Sequence, residues 1–359
     1  ALFGMNYLTA MVISAVVIVA YTTAGGFFAA SATDFVQSII MTVAIVFVLV
    51  FSTISAGGVD AVVENAKALP GYLSLTASYI EDTGKSEPYN LLHIITTLSC
   101  GLGYFGMPHI LLRFMAIEDE KKLKLSRRVA SVWVVIAMAM AVLIGIVGRA
   151  LSNTGLVDQL HGNDTETIIV RVAHLLSTYG ACPAIMAGLI LAGILASTMS
   201  TADSQLLAAA SSVSENILRE AFHLKISEKK SMLAARLTVI GIAILGIIIA
   251  RNPDSSVFGI VSFAWAGFGA AFGPLVICSL FWKRTPLPGA IAGMVSGGAM
   301  VFIWKYLIKP IGGVFGIYEL LPAFLVGLVL MVIVSLCTKA PSKEITDEFD
   351  RVKAMGKAK

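Results

Sequence analysis

Oxygen-bearing side chains are concentrated in residues 194–205, whose sequence is ILASTMSTADSQ. Residues three and four apart are neighbours on a helix, so four of these hydroxyls would share one helical face, bordered by Asp203. The four hydroxyls belong to Ser197, Ser200, Thr201 and Ser204. Hydroxyl and carboxylate oxygens suit a hard cation, so the pattern indicates a sodium site. The alternative is that the hydroxyls only donate to carbonyls of their own helix.

A second carboxylate, Asp34, lies at the start of another apolar stretch, within residues 31–37 (SATDFVQ). A charge in a membrane segment is costly and is therefore a functional candidate by default. A short acidic side chain at such a position can also cap the N-terminus of a helix. Cation binding and helix capping both remain open for this residue.

Glycine and proline interrupt the apolar stretch at residues 99–109, which reads SCGLGYFGMPH. Three glycines and a proline are poor helix formers, so the segment predicts a broken helix. Unwound backbone is tolerated at membrane depth only where it lines a cavity or is buried in protein. In transporters such breaks present backbone groups to the substrate, and Tyr104 would add a ring and a hydroxyl. The alternative is a simple kink packed against its neighbours.

The composition requires lipid around the elements that carry these residues. Of 359 residues, 57% are hydrophobic and 13% are charged, and the mean hydropathy is +0.86. A soluble core could not bury that much apolar surface. The net charge of +4 is too small to indicate a nucleic-acid partner. The four cysteines show no paired spacing in the sequence, which argues against a disulfide framework and a zinc site. We also find no hydrolase, metalloprotease or nucleotide-binding motif, so we expect no enzyme.

Nine apolar stretches are long enough to cross a bilayer. They cover residues 8–28, 34–54, 91–112, 129–151, 181–207, 232–250, 257–282, 288–308 and 317–337. None of them resembles a signal peptide.

Basic residues indicate which side of the membrane each loop occupies. They concentrate in the loops after the third, fifth and seventh spans and in the tail from residue 339. In the first two of these loops they are Lys121, Lys122, Lys124, Arg127, Arg128, Arg219, Lys225, Lys229, Lys230 and Arg236. The loop 56–89 is acidic instead, with Asp60, Glu64, Glu81, Asp82 and Glu87. By the positive-inside rule the C-terminus is cytoplasmic and residue 1 is external. Four basic residues break the rule: Arg149, Arg171, Lys305 and Lys309.

Several of these segments resemble one transporter family. The segments are YTTAGGF (21–27), TDFVQ (33–37), GLGYFG (101–106), PHILLRFM (108–115), MSTADSQLL (199–207) and FAWAGFGAAFGP (263–274). Together they resemble the solute:sodium symporter family, most closely its bacterial sodium/proline symporters.

The resemblance implies an all-α polytopic membrane protein with an inverted-repeat, five-plus-five sodium-symporter fold. It places the start of the chain at the fourth core helix, so the first three core helices and the helix before them are expected to be missing. Residues 1–337 would then form a transmembrane transporter domain of core helices 4–10 plus two C-terminal helices. Residues 338–359 would form a cytoplasmic tail.

The resemblance also implies site residues. The Ser197 carbonyl and the Ser200 and Thr201 hydroxyls match the family's sodium ligands. Three further residues match a second sodium site of some members: Asp34, Asp203 and Ser204. Asp203 departs from members that carry a hydroxyl there.

Four residues of the broken helix are expected to bind substrate: Cys100, Gly103, Tyr104 and Pro108. Tyr104 and Pro108 match the proline symporters. Cys100 stands where those proteins have a tryptophan, which puts proline itself in question.

The predicted function is sodium-coupled import of a small amino acid, with L-proline as the first candidate. The alternatives are a sodium symporter for another amino acid or a carboxylate, a channel, and a transporter-like sensor module. We expect Na⁺ as the coupling ion, no organic cofactor, no nucleic-acid partner, and a monomer in a lipid bilayer. The expected location is the bacterial inner (plasma) membrane. The segment 263–274 is expected to serve close helix packing.

Overall fold

The structure is a computed structural model that describes residues 6–81, 83–224, 227–251 and 257–357. Asp82 and Lys225, two of the loop charges used to orient the chain, lie outside this part. So do both ends of the predicted domains, residues 1 and 359.

Helices dominate the described residues, as predicted. The α-helices are α1 Tyr7–Ser55, α2 Val59–Ala68, α3 Leu91–Ser99, α4 Pro108–Met115, α5 Leu123–Asn153, α6 Ile168–Ser177, α7 Ala181–Ser211, α8 Glu228–Ile249, α9 Val257–Phe281, α10 Leu287–Ile303, α11 Leu320–Cys337 and α12 Lys343–Lys357. Segments of 3₁₀-helix cover Cys100–Gly106, Glu120–Lys122, Gly162–Thr167, Lys309–Ile311 and Gly313–Gly316, and π-helix covers Ser212–Ala221 and Trp304–Ile308. Strands β1 (Ala77–Ile80) and β2 (Lys85–Pro88) pair in a two-stranded sheet.

The predicted spans fall on these helices. Seven helices of the described chain are long and apolar enough to cross a membrane, and a bent pair, 91–106 with 108–115, would make eight. With 49 residues, α1 covers two predicted spans. It is about 74 Å long at about 1.5 Å per residue, more than twice the hydrocarbon thickness of about 30 Å. It is interrupted at Gly26, where φ is +60°, a conformation that favours glycine. Each predicted span therefore has a helical counterpart.

The chain forms two compact units. In unit 1, α1, α5, α6 and α7 meet around buried apolar side chains such as Val48, Leu151 and Ile190. In unit 2, α9, α10 and α11 enclose a second core that includes Val301 and Leu320.

Close helix packing in unit 2 depends on glycine. A Cβ on Gly297 would lie 2.2 Å from the carbonyl oxygen of Ala270, and one on Gly293 would lie 2.8 Å from the Met331 Cβ. Overlap at these distances would force the helices apart.

Three basic residues that break the positive-inside rule have acidic partners: Arg149, Lys305 and Lys309. The Arg149 guanidinium lies 3.0 Å from the Glu81 carboxylate. The Lys309 ammonium lies 2.9 Å from the carboxylate of Glu319, a residue that is only 3% exposed. The Lys305 ammonium lies 4.0 Å from the Glu319 carboxylate. Their charges are therefore compensated locally.

Candidate functional site

The hydroxyl cluster lies on α7 as the sequence predicts. The carbonyl of Ser197 accepts hydrogen bonds from the Ser200 Oγ and the Thr201 Oγ1, both at 3.2 Å. The Ser204 Oγ donates to the Ser200 carbonyl at 2.8 Å. Two of the three oxygens expected to bind sodium, the hydroxyls, therefore lie within hydrogen-bonding distance of the third, the Ser197 carbonyl.

These bonds match the alternative in which the hydroxyls donate to their own helix. They do not use the lone pairs of the hydroxyl oxygens, however. Each hydroxyl has one proton and two lone pairs. Donation to a carbonyl uses the proton and leaves lone pairs for a cation. Ser197 and Thr201 are also exposed in the described chain, so the two roles are compatible.

Asp203 lies behind this face and is completely buried, at 0% exposure. The Tyr21 hydroxyl donates to its Oδ2 at 3.0 Å, and the Ser204 hydroxyl lies 3.3 Å from its Oδ1. The Tyr21 oxygen is also 3.3 Å from the Met199 carbonyl. Because a buried carboxylate needs partners, Tyr21 on α1 is part of this cluster, a role that the sequence did not reveal.

The structure excludes one of the two interpretations of Asp34. This residue lies inside α1, eight residues after the break at Gly26, and the residue that caps α1 is Asn6. The capping alternative is therefore wrong. Asp34 lies near enough to Asp203 for the two carboxylates to interact electrostatically. Two carboxylates near each other repel unless a proton or a cation compensates their charge.

Close packing brings α1 and α7 together near the cluster. Gly193 lies against Ala44, and a Cβ on Gly193 would be only 2.8 Å from the Ala44 Cβ. Small residues let two membrane helices approach closely, and Gly193 lies four residues before Ser197 on α7.

A cavity of about 250 Å³ adjoins this region between α1, α6 and α7. Most of its lining is apolar, and Ser197 and Thr198 are its hydroxyl-bearing residues. The exposed end of the hydroxyl cluster therefore faces open space rather than packed side chains.

The glycine-broken helix of unit 2 is confirmed. Helix α3 gives way to a 3₁₀ segment at Cys100–Gly106, Met107 is extended, and Pro108 is the first residue of α4. The two arms meet at a bend of 49°. Proline fits the first position of a helix because its missing N–H has no helical partner there.

Trp265 on α9 contacts three of the four residues expected to bind substrate. Its indole Nε1 donates to the Cys100 carbonyl at 3.0 Å. Its ring meets the Tyr104 ring edge-on, with centroids 4.7 Å apart. A Cβ on Gly103 would lie 1.9 Å from the Trp265 Nε1, so only glycine leaves room for the indole. The segment 263–274 thus serves packing, as expected, and it also brings a second aromatic ring to this group, which was not predicted.

The candidate residues therefore gather in two groups. The six residues expected to bind cation lie in unit 1, and the four expected to bind substrate lie in unit 2.

Comparison with known proteins gives consistent similarities. A model of the sodium:solute symporter family matches residues 1–297. The sodium/proline symporter 2 of Staphylococcus saprophyticus is 37% identical over 99% of this chain and 67% of its own length. The high-affinity proline transporter PutP of Bacillus subtilis is 38% identical over 98% of the chain and 70% of its own length. The sodium/proline symporter of Escherichia coli is 37% identical over 97% of the chain and 66% of its own length.

A solved structure has the same fold. It is a Na⁺-coupled sialic acid symporter in a substrate-bound, outward-open state, with a TM-score of 0.73 at 18% identity. The match covers 95% of this chain and 69% of that one. The chain thus spans about two thirds of the length of the proteins it matches.

Proposed function

The chain belongs to the sodium:solute symporter family, and we propose that it is a sodium-coupled symporter that imports a small amino acid, with L-proline as the first candidate. The observation that carries the proposal is the oxygen cluster on α7, backed by the buried Asp203 that Tyr21 holds from α1. The relatives named as sodium/proline symporters support this substrate class.

In this proposal the coupling ion is Na⁺, bound by the Ser197 carbonyl and the Ser200 and Thr201 hydroxyls. Asp34, Asp203 and Ser204 form a second, more negative region beside it, which either binds a second cation or raises the affinity of the first. Oxygen ligands without a thiolate or imidazole select a hard ion over a transition metal.

Coupling then follows from thermodynamic linkage. If sodium binding stabilises the conformation that binds the amino acid, the amino acid raises sodium affinity by the same factor. The inward sodium gradient, together with about 2.3 kcal/mol per charge for each 100 mV of membrane potential, drives import through alternating access.

The substrate would bind at the broken helix, against Cys100, Gly103, Tyr104 and Pro108. We propose that Trp265 supplies an aromatic surface beside Tyr104, which suits the apolar ring of proline. Backbone groups around the break would bind the carboxylate and amine of the amino acid.

The remaining assignments form part of the same proposal. Residues 1–337 act as the transporter domain of a multi-pass protein in the bacterial inner membrane, and residues 338–359 lie on its cytoplasmic side. The protein acts as a monomer and needs no organic cofactor, and its family is one of transporters rather than enzymes.

The test is uptake of radiolabelled proline by a proline-uptake-deficient bacterium that expresses the protein from its complete gene. Uptake that sodium stimulates and excess unlabelled proline blocks would support the proposal. Normal membrane expression without proline uptake would refute proline as the substrate. Transport of the other amino acids and of carboxylates would then be measured directly.

A further inference from the structure

Helix α12 has an apolar face on which Ile345 and Val352 are exposed and Phe349, between them, is half-buried. Ile345, Phe349 and Val352 follow one another at four- and three-residue intervals and so share a face. Ile345 is 54% exposed and Val352 is 53% exposed. Met355, beside them, is 46% exposed. An aligned set of large apolar side chains on a helix surface indicates a contact with something apolar.

The opposite face is charged. Lys343, Asp347 and Asp350 follow the same four- and three-residue intervals on the far side of the helix. Within 343–357 the sequence has four basic and four acidic residues, so the helix carries no net charge. The helix is therefore amphipathic, and its apolar face has to supply most of any attraction to a surface.

Two connections fix where this helix lies. Lys283, which forms an ion pair with Asp350, follows the last residue of the membrane-spanning helix α9, Phe281, by two positions. At the other end, five residues, 338–342, join α12 to the membrane-spanning helix α11. A linker of that length spans at most about 20 Å. Both connections hold α12 beside the ends of two membrane-spanning helices.

The surface next to these connections is apolar and exposed in the described chain. Phe281 at the end of α9 is 80% exposed, and Leu336 at the end of α11 is 56% exposed. Apolar side chains on a spanning helix contact acyl chains, so the apolar region extends to the level at which α12 is attached. Exposed to water, the apolar face of α12 would be unfavourably solvated.

We propose that α12 is an interfacial helix that lies along the membrane surface, with Ile345, Phe349 and Val352 in the lipid and its charged face in water. Helices with a large apolar face and a charged opposite face bind at the boundary between headgroups and acyl chains. The occupant of the apolar face is the bilayer to which the rest of the chain belongs. Because the helix has no net charge, its binding depends little on anionic lipid or on salt.

The test places an environment-sensitive fluorophore at position 352 or, as the matched control, at position 347 on the charged face. The protein from the complete gene is labelled through Val352→Cys or Asp347→Cys, after its exposed cysteines at 100, 182 and 337 are replaced by alanine. Each labelled protein is reconstituted in vesicles of phosphatidylcholine alone or with phosphatidylglycerol. Quenching by nitroxide-labelled lipid is compared with quenching by iodide in the water.

We expect nitroxide lipid to quench the label at 352 several-fold more than the label at 347, and iodide to show the reverse order. The difference should be similar in both vesicle types and at low and high salt. Equal, strong iodide quenching at both positions would show α12 in water and overturn the proposal. A label at 352 that neither quencher reaches would show a protein surface on this face, such as a second copy of the chain, and would also overturn it.

Two further measurements keep the test decisive. If the cysteine-replaced protein does not fold, a genetically encoded fluorescent amino acid at 352 or 347 repeats the comparison in the unaltered chain. Val352→Asp should reduce lipid quenching of a label at 349 to the level seen at 347, because a charge on the apolar face opposes insertion. None of these results depends on which solute the protein carries.

Discussion

Replacing Tyr21 with phenylalanine would remove the hydroxyl that donates to Asp203 while keeping the aromatic ring. The bond is 3.0 Å long and reaches a carboxylate that is fully buried. A hydrogen bond to a charged group contributes about 1.5–3 kcal/mol. If the variant loses about 1.5 kcal/mol of stabilisation in the sodium-binding conformation, the sodium concentration for half-maximal uptake rises roughly tenfold. This follows because about 1.4 kcal/mol corresponds to a factor of ten in affinity.

The assay is proline uptake as a function of sodium concentration, at equal amounts of protein in the membrane. Tyr7→Phe is the matched control, because its hydroxyl also donates from α1 to a carbonyl, that of Ala250 at 2.9 Å, away from the cluster. We expect the Tyr7 variant to keep normal sodium dependence. An unchanged sodium dependence in the Tyr21 variant would refute the role of this tyrosine in positioning Asp203.

A double-mutant cycle separates positioning from general damage. Asp203→Asn removes the charge that Tyr21 supports, so adding Tyr21→Phe to it should cost much less than Tyr21→Phe alone. Additive effects of the two substitutions would mean that the residues act independently, against the contact in the structure.

Two other sets of variants test separate parts of the account. Ser200→Ala and Thr201→Ala should each weaken sodium activation of uptake, and wild-type sodium dependence in both would contradict the assigned ligands. Gly106→Ala should lower the free energy of unfolding of the purified protein by about 1–3 kcal/mol, which is typical of overpacking. The reason is that the new Cβ would lie 2.4 Å from the Phe268 carbonyl oxygen. Gly101→Ala is its control, with open space around the added Cβ, and equal stability of the two variants would argue against tight packing at the break.

Much of the fold could be predicted because membrane helices show their signals locally. Hydropathy located the segments that cross the membrane, and the glycines and proline of 101–108 located the break, since these residues weaken a helix wherever they occur. Helical periodicity was enough to place the Ser200 and Thr201 hydroxyls beside the Ser197 carbonyl.

Contacts between distant segments could not be predicted in this way. Tyr21 and Asp203 are 182 residues apart, and no periodic pattern within either helix indicates that they meet. The contact of Trp265 with Cys100 depends on how α9 packs on the broken helix, so its sequence motif indicated packing alone. The predicted tail at 338–359 contains helix α12, Lys343–Lys357, in which apolar residues recur at helical spacing.

The central claim is that sodium and the amino acid move together through a site that includes the α7 hydroxyls. Its most direct test is the entry of radioactive sodium into proteoliposomes that contain the protein from its complete gene, with and without external proline. The account predicts that proline stimulates sodium entry, and that the double variant Ser200→Ala, Thr201→Ala abolishes the stimulation. Sodium entry that proline leaves unchanged, together with proline accumulation that needs no sodium gradient, would contradict it.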